Sequence, residues 1–491
     1  MTKPTKFRVA AKIPRGTDLF ILGCFEREAP AAGSLPGRIA SAARSVAARK
    51  GFRGRAGQLS HTATSAPGGP SVAVWGLGKR SEFTGRDLTT FVRRAARRAG
   101  KDGYSRALFL VPEHPVAAGE AGALRFLEDL ALSGYRFDSY RKKDDEPSLR
   151  GVAVLPVKGT ESAYRRAGSW ARPIVEGIAL ARDVANTPPN DAHPQWMASE
   201  ARRVGKAAGM KVEVLGPKEL KKRGMGGILA VGSGSRRTPR LVRLSAGKGK
   251  ETIAFVGKGV TFDTGGISIK PAASMDDMKF DKCGACAVLG LAHATSGLNL
   301  PFRLEFYLPL AENMPDGAAY RPGDIVGCYN GKTVEILNTD AEGRMILADA
   351  LAWAAEEKPD VLIDFATLTG ACVVALGQES AGLFTDSDLL ASELLAASEL
   401  SREKLWRLPL WDQFSRGMKG RHADLRNTGG RWGGASTAAA FLAEFVGRRD
   451  RWAHIDMAGP AYVGKSGTPY GATGYGVALA STWLLQRAGL L

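Results

Sequence analysis

VGKGVTFDTGGISIK, residues Val256–Lys270, begins as an apolar run of β type and breaks at Gly257 and Gly259 into a glycine-rich loop carrying Lys258, Asp263 and Lys270. Loops at strand ends are where open α/β sheets hold their functional side chains, because the sheet is rigid and the loop is free to present polar groups. A Lys or Asp in such a turn is also, more plainly, a solvated residue. The choice between the two readings depends on what else the chain can bring to the same place.

Two further segments compete for that role. In MDDMKFDKCGAC, Met275–Cys286, Asp281 stands near the start of an Ala/Gly-rich helix expected over about Met278 to Ala294, where it could simply complement the helix dipole. In NTDAEGR, Asn338–Arg344, a strand expected over Lys332 to Leu337 gives way to alternating charges. In extended chain, residues two apart share a face, so Asp340, Glu342 and Arg344 can converge; the alternative is a polar loop closing a strand. Asp263, Asp281, Asp340 and Glu342 together balance the charge of two divalent cations, with Lys258 as a further candidate ligand. Oxygen-rich ligation without thiolate suits Zn²⁺, Mn²⁺ or Mg²⁺, a shared carboxylate can bridge two of them, and dinuclear hydrolysis is the chemistry that follows. The six histidines show no ligand-like spacing, and His193 and His454 read as structural or surface residues.

Outward from this region, strands are expected at Lys211 to Leu215, Leu241 to Leu244, Ile253 to Val256, Leu304 to Leu308 and Val361 to Phe365. They alternate with helices at about Met345 to Glu356 and Leu389 to Ser401. That is the pattern of a central, largely buried mixed sheet flanked by helices. Before it, short β runs at Leu19 to Leu22, Val72 to Leu77, Ala107 to Val111 and Val152 to Val157 are separated by Ala/Arg-rich helical stretches such as Leu88 to Arg98, which indicates a smaller α/β domain. Ser60 to Pro70 reads as a loop, and the charge run Arg141 to Glu146 as a solvated turn. A helix over Tyr164 to Val184 ends at Asn186–Asp191, NTPPND, where two prolines forbid continuation. The expected division is therefore an N-terminal α/β domain, 1–165, and a catalytic α/β domain, 166–491.

Length and composition agree with two folded domains: 491 residues, 44 % hydrophobic and 8 % aromatic, exceed one ordinary core and exclude disorder as the default. No run approaches the roughly 20 apolar residues of a membrane helix. The N-terminal apolar patch is about six residues long and runs into Glu26–Glu28, so it reads as a first strand and a poor secretory leader, with an organelle transit peptide as the weaker rival. Five cysteines in a chain of this length do not form the dense framework of small secreted domains and point to a reducing compartment, the cytoplasm. The net charge of +19 is uneven: about 30 Lys/Arg face about 15 Asp/Glu before residue 170. Such a basic first domain permits attraction to DNA or another polyanion, and fits equally a genome that encodes Arg freely.

VGKGVTFDTGGISIK, the Asp281 helix and NTDAEGR resemble, in order and separation, the signature segments of the leucyl aminopeptidase family of dinuclear zinc or manganese peptidases. The resemblance continues through ARDVANTPPND (Ala181–Asp191), DFATLTGAC (Asp364–Cys372), ADLRNTGGRWGGASTAAAFL (Ala423–Leu442) and WAHIDMAGPAY (Trp452–Tyr462), and so covers the second domain. It implies two metal ions per subunit. Asp263 and Glu342 would touch both, Asp340 would complete the more exchangeable site, and Lys258 and Asp281 the tighter one. It also implies a metal-bridging water as nucleophile, Lys270 at the oxyanion, and Arg344 holding a bicarbonate that takes the proton. An apolar pocket for the departing residue would include Met278, Thr367, Leu368 and Gly370. Peptides with a large apolar N-terminal residue are the implied substrates, and a homohexamer with inward-facing sites the implied assembly.

Departures from the family pattern are few. Met345 replaces the more usual Leu after NTDAEGR, a volume-conserving change. Lys282, Cys283 and Cys286 stand where Met and small residues are common. A CxxC pair invites a redox or zinc reading, but two thiols alone do not close a structural zinc site, and small buried helix residues are the simpler reading.

Overall fold

The computed structural model describes residues 4–63, 69–142, 149, 151–465, 467 and 469–491, and its contacts separate into two compact units, 1–175 and 176–490. Among the described residues no helix is long and apolar enough to cross a membrane.

The first unit is built on strands β1 (Phe7–Val9), β2 (Leu19–Phe25), β3 (Leu59–Ala63), β4 (Ser71–Gly78), β5 (Arg106–Leu110) and β6 (Gly151–Leu155), ordered β1-β6-β5-β2-β4-β3. All neighbours are parallel except β3, which runs antiparallel to β4. β2 and β4 are near-continuous apolar runs, as strands covered on both faces must be. The helix Gly85–Lys101 starts in a capping box, with Thr84 accepting from the Asp87 N–H and Asp87 answering the Thr84 N–H; its apolar stripe of Leu88, Phe91, Val92 and Ala95 turns inward. Two expectations are corrected here. The Leu19 patch is the second strand, not the first. The stretch expected to be a loop from Ser60 starts inside an edge strand whose polar LSHTA sequence hides it; residues 64–68 of that loop, and 143–146 of the charge run, lie outside the described residues.

The second unit centres on β7 (Lys211–Leu215), β8 (Arg240–Ala246), β9 (Glu251–Gly257), β10 (Gly259–Asp263), β11 (Phe302–Asn313), β12 (Ile325–Gly327), β13 (Thr333–Glu335), β14 (Val361–Ala366), β15 (Ser380–Phe384), β16 (Lys404–Arg407), β17 (Leu425–Arg426) and β18 (Trp452–Asp456). Nine of these form one mixed sheet, β16-β15-β18-β14-β9-β11-β8-β7, with β10 paired to β11. Its middle, β18-β14-β9-β11, is parallel, and β15, β8 and β7 bring antiparallel pairings at the flanks. Side chains alternate across it: Ala254 and Val256 enter the core shared with the helix Gly343–Glu356, while Phe255 on the opposite face meets Trp483 of the helix Val477–Arg487. The fold class read from the sequence, α/β with a smaller first domain and a larger one around a mixed sheet, is the fold observed. The long helix Glu161–Asn186 runs through Pro173 and stops before the prolines of NTPPND.

Candidate metal centre

The parallel strands β9, β14 and β11 end together, and their carboxyl ends carry the site. β9 stops at Gly257 and β10 starts at Gly259, so Lys258 sits at a break where the Lys258 N–H donates to Phe365 O (3.0 Å) and the Ala285 N–H donates to Lys258 O (2.7 Å). Both ends of the residue are thus tied, one to β14 and one to the helix Cys283–Thr295. The buried Lys258 ammonium lies 2.7 Å from Asp281 Oδ1 and 2.9 Å from Glu342 Oε1, and donates to Thr367 O at 2.8 Å. Lys270 answers it from the other side, 2.9 Å from Asp263 Oδ2 and in contact with Asp340. One oxygen each from Asp263, Asp340 and Glu342 falls within 4.8 Å of the others.

Convergence of Asp340 and Glu342 was expected, but the backbone that achieves it is different. Asn338–Glu342 is a turn and not an extended strand, and the helix opens at Gly343. Arg344 therefore leaves the first turn of that helix, where Nη1 donates to Asn427 O (2.7 Å), while its Nε is buried without a hydrogen-bond partner. The helix at Asp281 is likewise shorter than expected. A 3₁₀ turn, Met275–Phe280, precedes Asp281, and the α-helix begins at Cys283.

Asn313, Asn427 and Asp456, which the sequence did not mark, and Thr367, expected there only as a pocket residue, hold the ligands in place. Asn313 Nδ2 donates to Asp263 Oδ1 (2.8 Å) and Thr339 O (3.0 Å), fastening the end of β11 to two of the acidic segments. Thr367 Oγ1 donates to Asp281 Oδ1 at 2.7 Å. Asn427 accepts from the Leu337 N–H (2.8 Å) and donates to Asn338 O (2.6 Å), a bond made possible by β17 lying beside β13. Asp456 accepts from Thr369 Oγ1 (2.6 Å) and the Leu368 N–H (3.1 Å), shaping the chain after Thr367. Of the expected pocket residues, Met278, Thr367 and Leu368 are half-buried, and Gly370 faces open space at the start of the helix Gly370–Leu376.

The charges decide what the site can do. Four carboxylates face two ammonium groups, which leaves a formal excess of negative charge in a buried place. Burial, and then repulsion from Glu342, pushes the Asp263 carboxyl up to about 6, and burial raises Asp281 well above the carboxylate range. Glu342, although buried, is held below its usual value by Lys258 and Lys270. For Lys258 burial opposes the charge, but Asp281, Glu342 and Asp263 outweigh it and raise its pKa, so the carboxylates favour the ammonium over the neutral amine expected of a ligand. Asp281 Oδ2 is buried with no hydrogen-bond partner. An orphaned carboxylate oxygen among crowded acidic groups is relieved by a hard cation, and an all-oxygen set with one amine fits zinc, manganese or magnesium.

The other chemical candidates are accounted for. Cys283 and Cys286 are free and buried, and burial raises both thiols, Cys286 to about 12, so neither is a ready nucleophile. The buried Lys282 ammonium donates to Thr187 O (3.1 Å) and Lys279 O (2.5 Å). His193 accepts from the Trp196 N–H and caps a helix, and His454 pairs with Asp364 inside the sheet; both are structural, as expected. A cavity of about 390 Å³ is lined by residues of β7, β8 and the start of β11 and by none of the four carboxylates. Its Arg243, Arg303 and Ser245 are already bonded to Glu305, so the acidic cluster is the better site despite the cavity's volume.

Comparison with known proteins agrees with this geometry. Residues 179–480 match the model of the cytosol aminopeptidase family catalytic domain, and residues 21–144 that of the family's N-terminal domain. A probable cytosol aminopeptidase of Dechloromonas aromatica is 43 % identical over 86 % of this chain and 85 % of its own, and one from Syntrophotalea carbinolica is 41 % identical over 96 % and 97 %. Among solved structures, the bottromycin maturation enzyme BotP superposes with a TM-score of 0.84 at 35 % identity, covering 96 % of this chain and all of that one; the same enzyme in complex with Mn gives 0.83. The chain belongs to the cytosol aminopeptidase family and is a metal-dependent aminopeptidase, a hydrolase of peptide bonds.

Proposed function

We propose that the chain removes leucine or another large apolar residue from the N-terminus of peptides, using two zinc or manganese ions held by Lys258, Asp263, Asp281, Asp340 and Glu342. The observation that carries this reading is the cluster of four carboxylates, three of them buried, crowded enough to raise Asp263 and Asp281 and with Asp281 Oδ2 unpartnered. When bound, the two ions supply Lewis acidity toward the scissile carbonyl and an activated water.

The remaining work falls to side chains. Lys270 sits on the half-exposed side of the cluster, and Asp263 and Glu342 raise its pKa against the effect of burial, so it is a fixed cation at the position where an oxyanion develops. Arg344 is brought down by burial only to about 10 and stays cationic. Its unpartnered Nε and the opening turn of the helix Gly343–Glu356 favour a small anion, for which bicarbonate as proton acceptor is our assignment. Met278, Thr367, Leu368 and Gly370 line the pocket for the departing residue in this reading. Residues 166–491 carry catalysis, residues 1–165 serve oligomerisation or nucleic-acid binding, the assembly is a homohexamer, and the protein works in the cytoplasm.

The test is hydrolysis of leucine p-nitroanilide, lost on chelation and restored by Zn²⁺ or Mn²⁺, with metal analysis and particle mass measured on the same preparation. Full activity of an Asp340→Ala, Glu342→Ala double variant would refute the assignment of the site.

A second reading, DNA binding by the basic N-terminal domain, is favoured by one observation. The helix Gly85–Lys101 presents Arg86, Arg93, Arg94, Arg97, Arg98 and Lys101 on its exposed side. Salt-dependent binding to a defined duplex supports it, and weak retention without sequence preference returns the charge to solubility.

A further inference from the structure

The metal cluster accounts for the polar side chains at the ends of the central strands, but not for the apolar ones beside them. Ile269 lies next to Lys270, Leu337 leads into Asn338–Glu342, and Val374 stands on the helix that follows the Thr367–Gly370 segment; all are exposed, Val374 at 90 %. Trp432 is 80 % exposed. Scattered exposed apolar residues need no explanation, but these ride on the very segments that carry the site.

Trp432 is the best placed of them. The loop that bears it is anchored at Asn427, whose carbonyl accepts from Arg344 and whose side chain bonds the Leu337 N–H and Asn338 O. At its other end Gly434 approaches the helix Gly370–Leu376, where an added Cβ would stand 3.1 Å from Ala371 Cβ. Trp432 thus stands on a bridge between the metal-bearing turn and the helix leaving the expected pocket. Gly433 holds φ at +62° and lies so close to Phe414 that a Cβ there would stand 3.0 Å from its ring; Phe414 is itself stacked on Trp411 at 6.0 Å. Arg431 lies over the Trp432 ring at 5.1 Å, which leaves the other ring face to a second partner.

An aminopeptidase encloses the first residue of its substrate, and everything after the cut bond must run outward across the rim. From this, and resting on the aminopeptidase reading above, we infer that Trp432 is a specificity-determining residue that receives the side chains following the scissile bond and favours apolar or aromatic ones. A rigid aromatic face offers large contact area at small entropic cost.

The experiment compares the wild type with Trp432→Ala and Trp432→Phe on three substrates: leucinamide, whose leaving group is ammonia, Leu-Gly-Gly and Leu-Phe-Phe. The wild type should prefer Leu-Phe-Phe to Leu-Gly-Gly. In Trp432→Ala that preference in kcat/KM should fall about five- to tenfold, with leucinamide hydrolysis within about twofold of wild type and Trp432→Phe retaining most of the preference. An unaltered ratio overturns the inference. So does an equal loss on all three substrates, which makes the loop a support of the metal site, or an unaltered ratio with a changed particle mass, which makes Trp432 a contact with a second copy of the chain. A wild type inactive on all three in the presence of Zn²⁺ or Mn²⁺ sinks the aminopeptidase reading as well.

Discussion

Gly343 faces the end of the Lys258 side chain: a Cβ there would stand 2.4 Å from Lys258 Cε and 2.6 Å from its ammonium nitrogen. Glu342, one residue earlier, pairs with that same ammonium. Both clash and pairing act on a buried group with little freedom to move aside. Gly343→Ala should therefore displace Lys258 from between Asp281 and Glu342 while leaving the helix intact, since Ala is the better helix former. The expected outcome is a metal affinity lowered about 10- to 100-fold with a far-UV spectrum like that of the wild type, read by metal titration. Wild-type affinity would show that Lys258 is not needed where it lies.

Asn313 makes a separable contribution. Its side chain is fully buried and fastens Asp263 to Thr339 across two segments of chain. Asn313→Ala should loosen Asp263, which Lys270 and the Gly265 N–H still hold, and weaken metal binding about 10- to 100-fold, with kcat at saturating Mn²⁺ closer to wild type than kcat at trace metal. If activity is equally low at every metal concentration, Asn313 acts on the reaction and not on the ligand.

Lys258 itself separates two roles. As a metal ligand it must lose its proton and donate a lone pair; as a counter-ion it needs only charge, and the surrounding carboxylates favour the charged form. Lys258→Arg retains charge and removes the donor, because a guanidinium does not deprotonate in proteins. On the ligand model the variant loses tight binding of one ion and at least about a hundredfold in activity. Two ions per subunit in the purified variant would favour the counter-ion role.

What the sequence discloses here follows from the range of the interactions. Buried parallel strands such as β9 and β14 are apolar along most of their length and can be read locally. Asp340 and Glu342 were legible because two residues suffice to bring them together, even though a turn and not an extended strand does it. Asn313 and Asn427 were not, since each meets its acidic segments from 26 to 90 residues away and neither has a local pattern. The strand Leu59–Ala63 escaped for another reason: at a sheet edge, with a polar sequence, it carries no apolar signature. Pro173 shows the limit of a local rule in the opposite direction, for the helix Glu161–Asn186 continues through it.

The buried pair Asp364–His454 lies within the sheet between β14 and β18, away from the ligands, and couples stability to pH. His454 Nδ1 is 2.6 Å from Asp364 Oδ1, and Trp452 Nε1 donates to Asp364 Oδ2 at 2.8 Å. Burial acts against a charged imidazole, yet the Asp364 carboxylate outweighs it and raises the His454 pKa above its ordinary value. A group whose folded-state pKa is raised binds its proton more tightly in the folded chain. Its stabilising contribution is then complete below the unfolded value of about 6.5 and fades as pH climbs through the folded value. Melting temperatures of the wild type and His454→Gln, measured from pH 6 to 9, should differ most at the acidic end and converge toward the alkaline end. Asp364→Asn removes the carboxylate that holds the imidazolium and should cost about 3–5 kcal/mol at the acidic end of that range, the figure for breaking a buried ion pair from one side. Parallel pH profiles for wild type and His454→Gln would mean that the imidazole is neutral throughout, its Nδ1–H donating to Asp364 without carrying a charge.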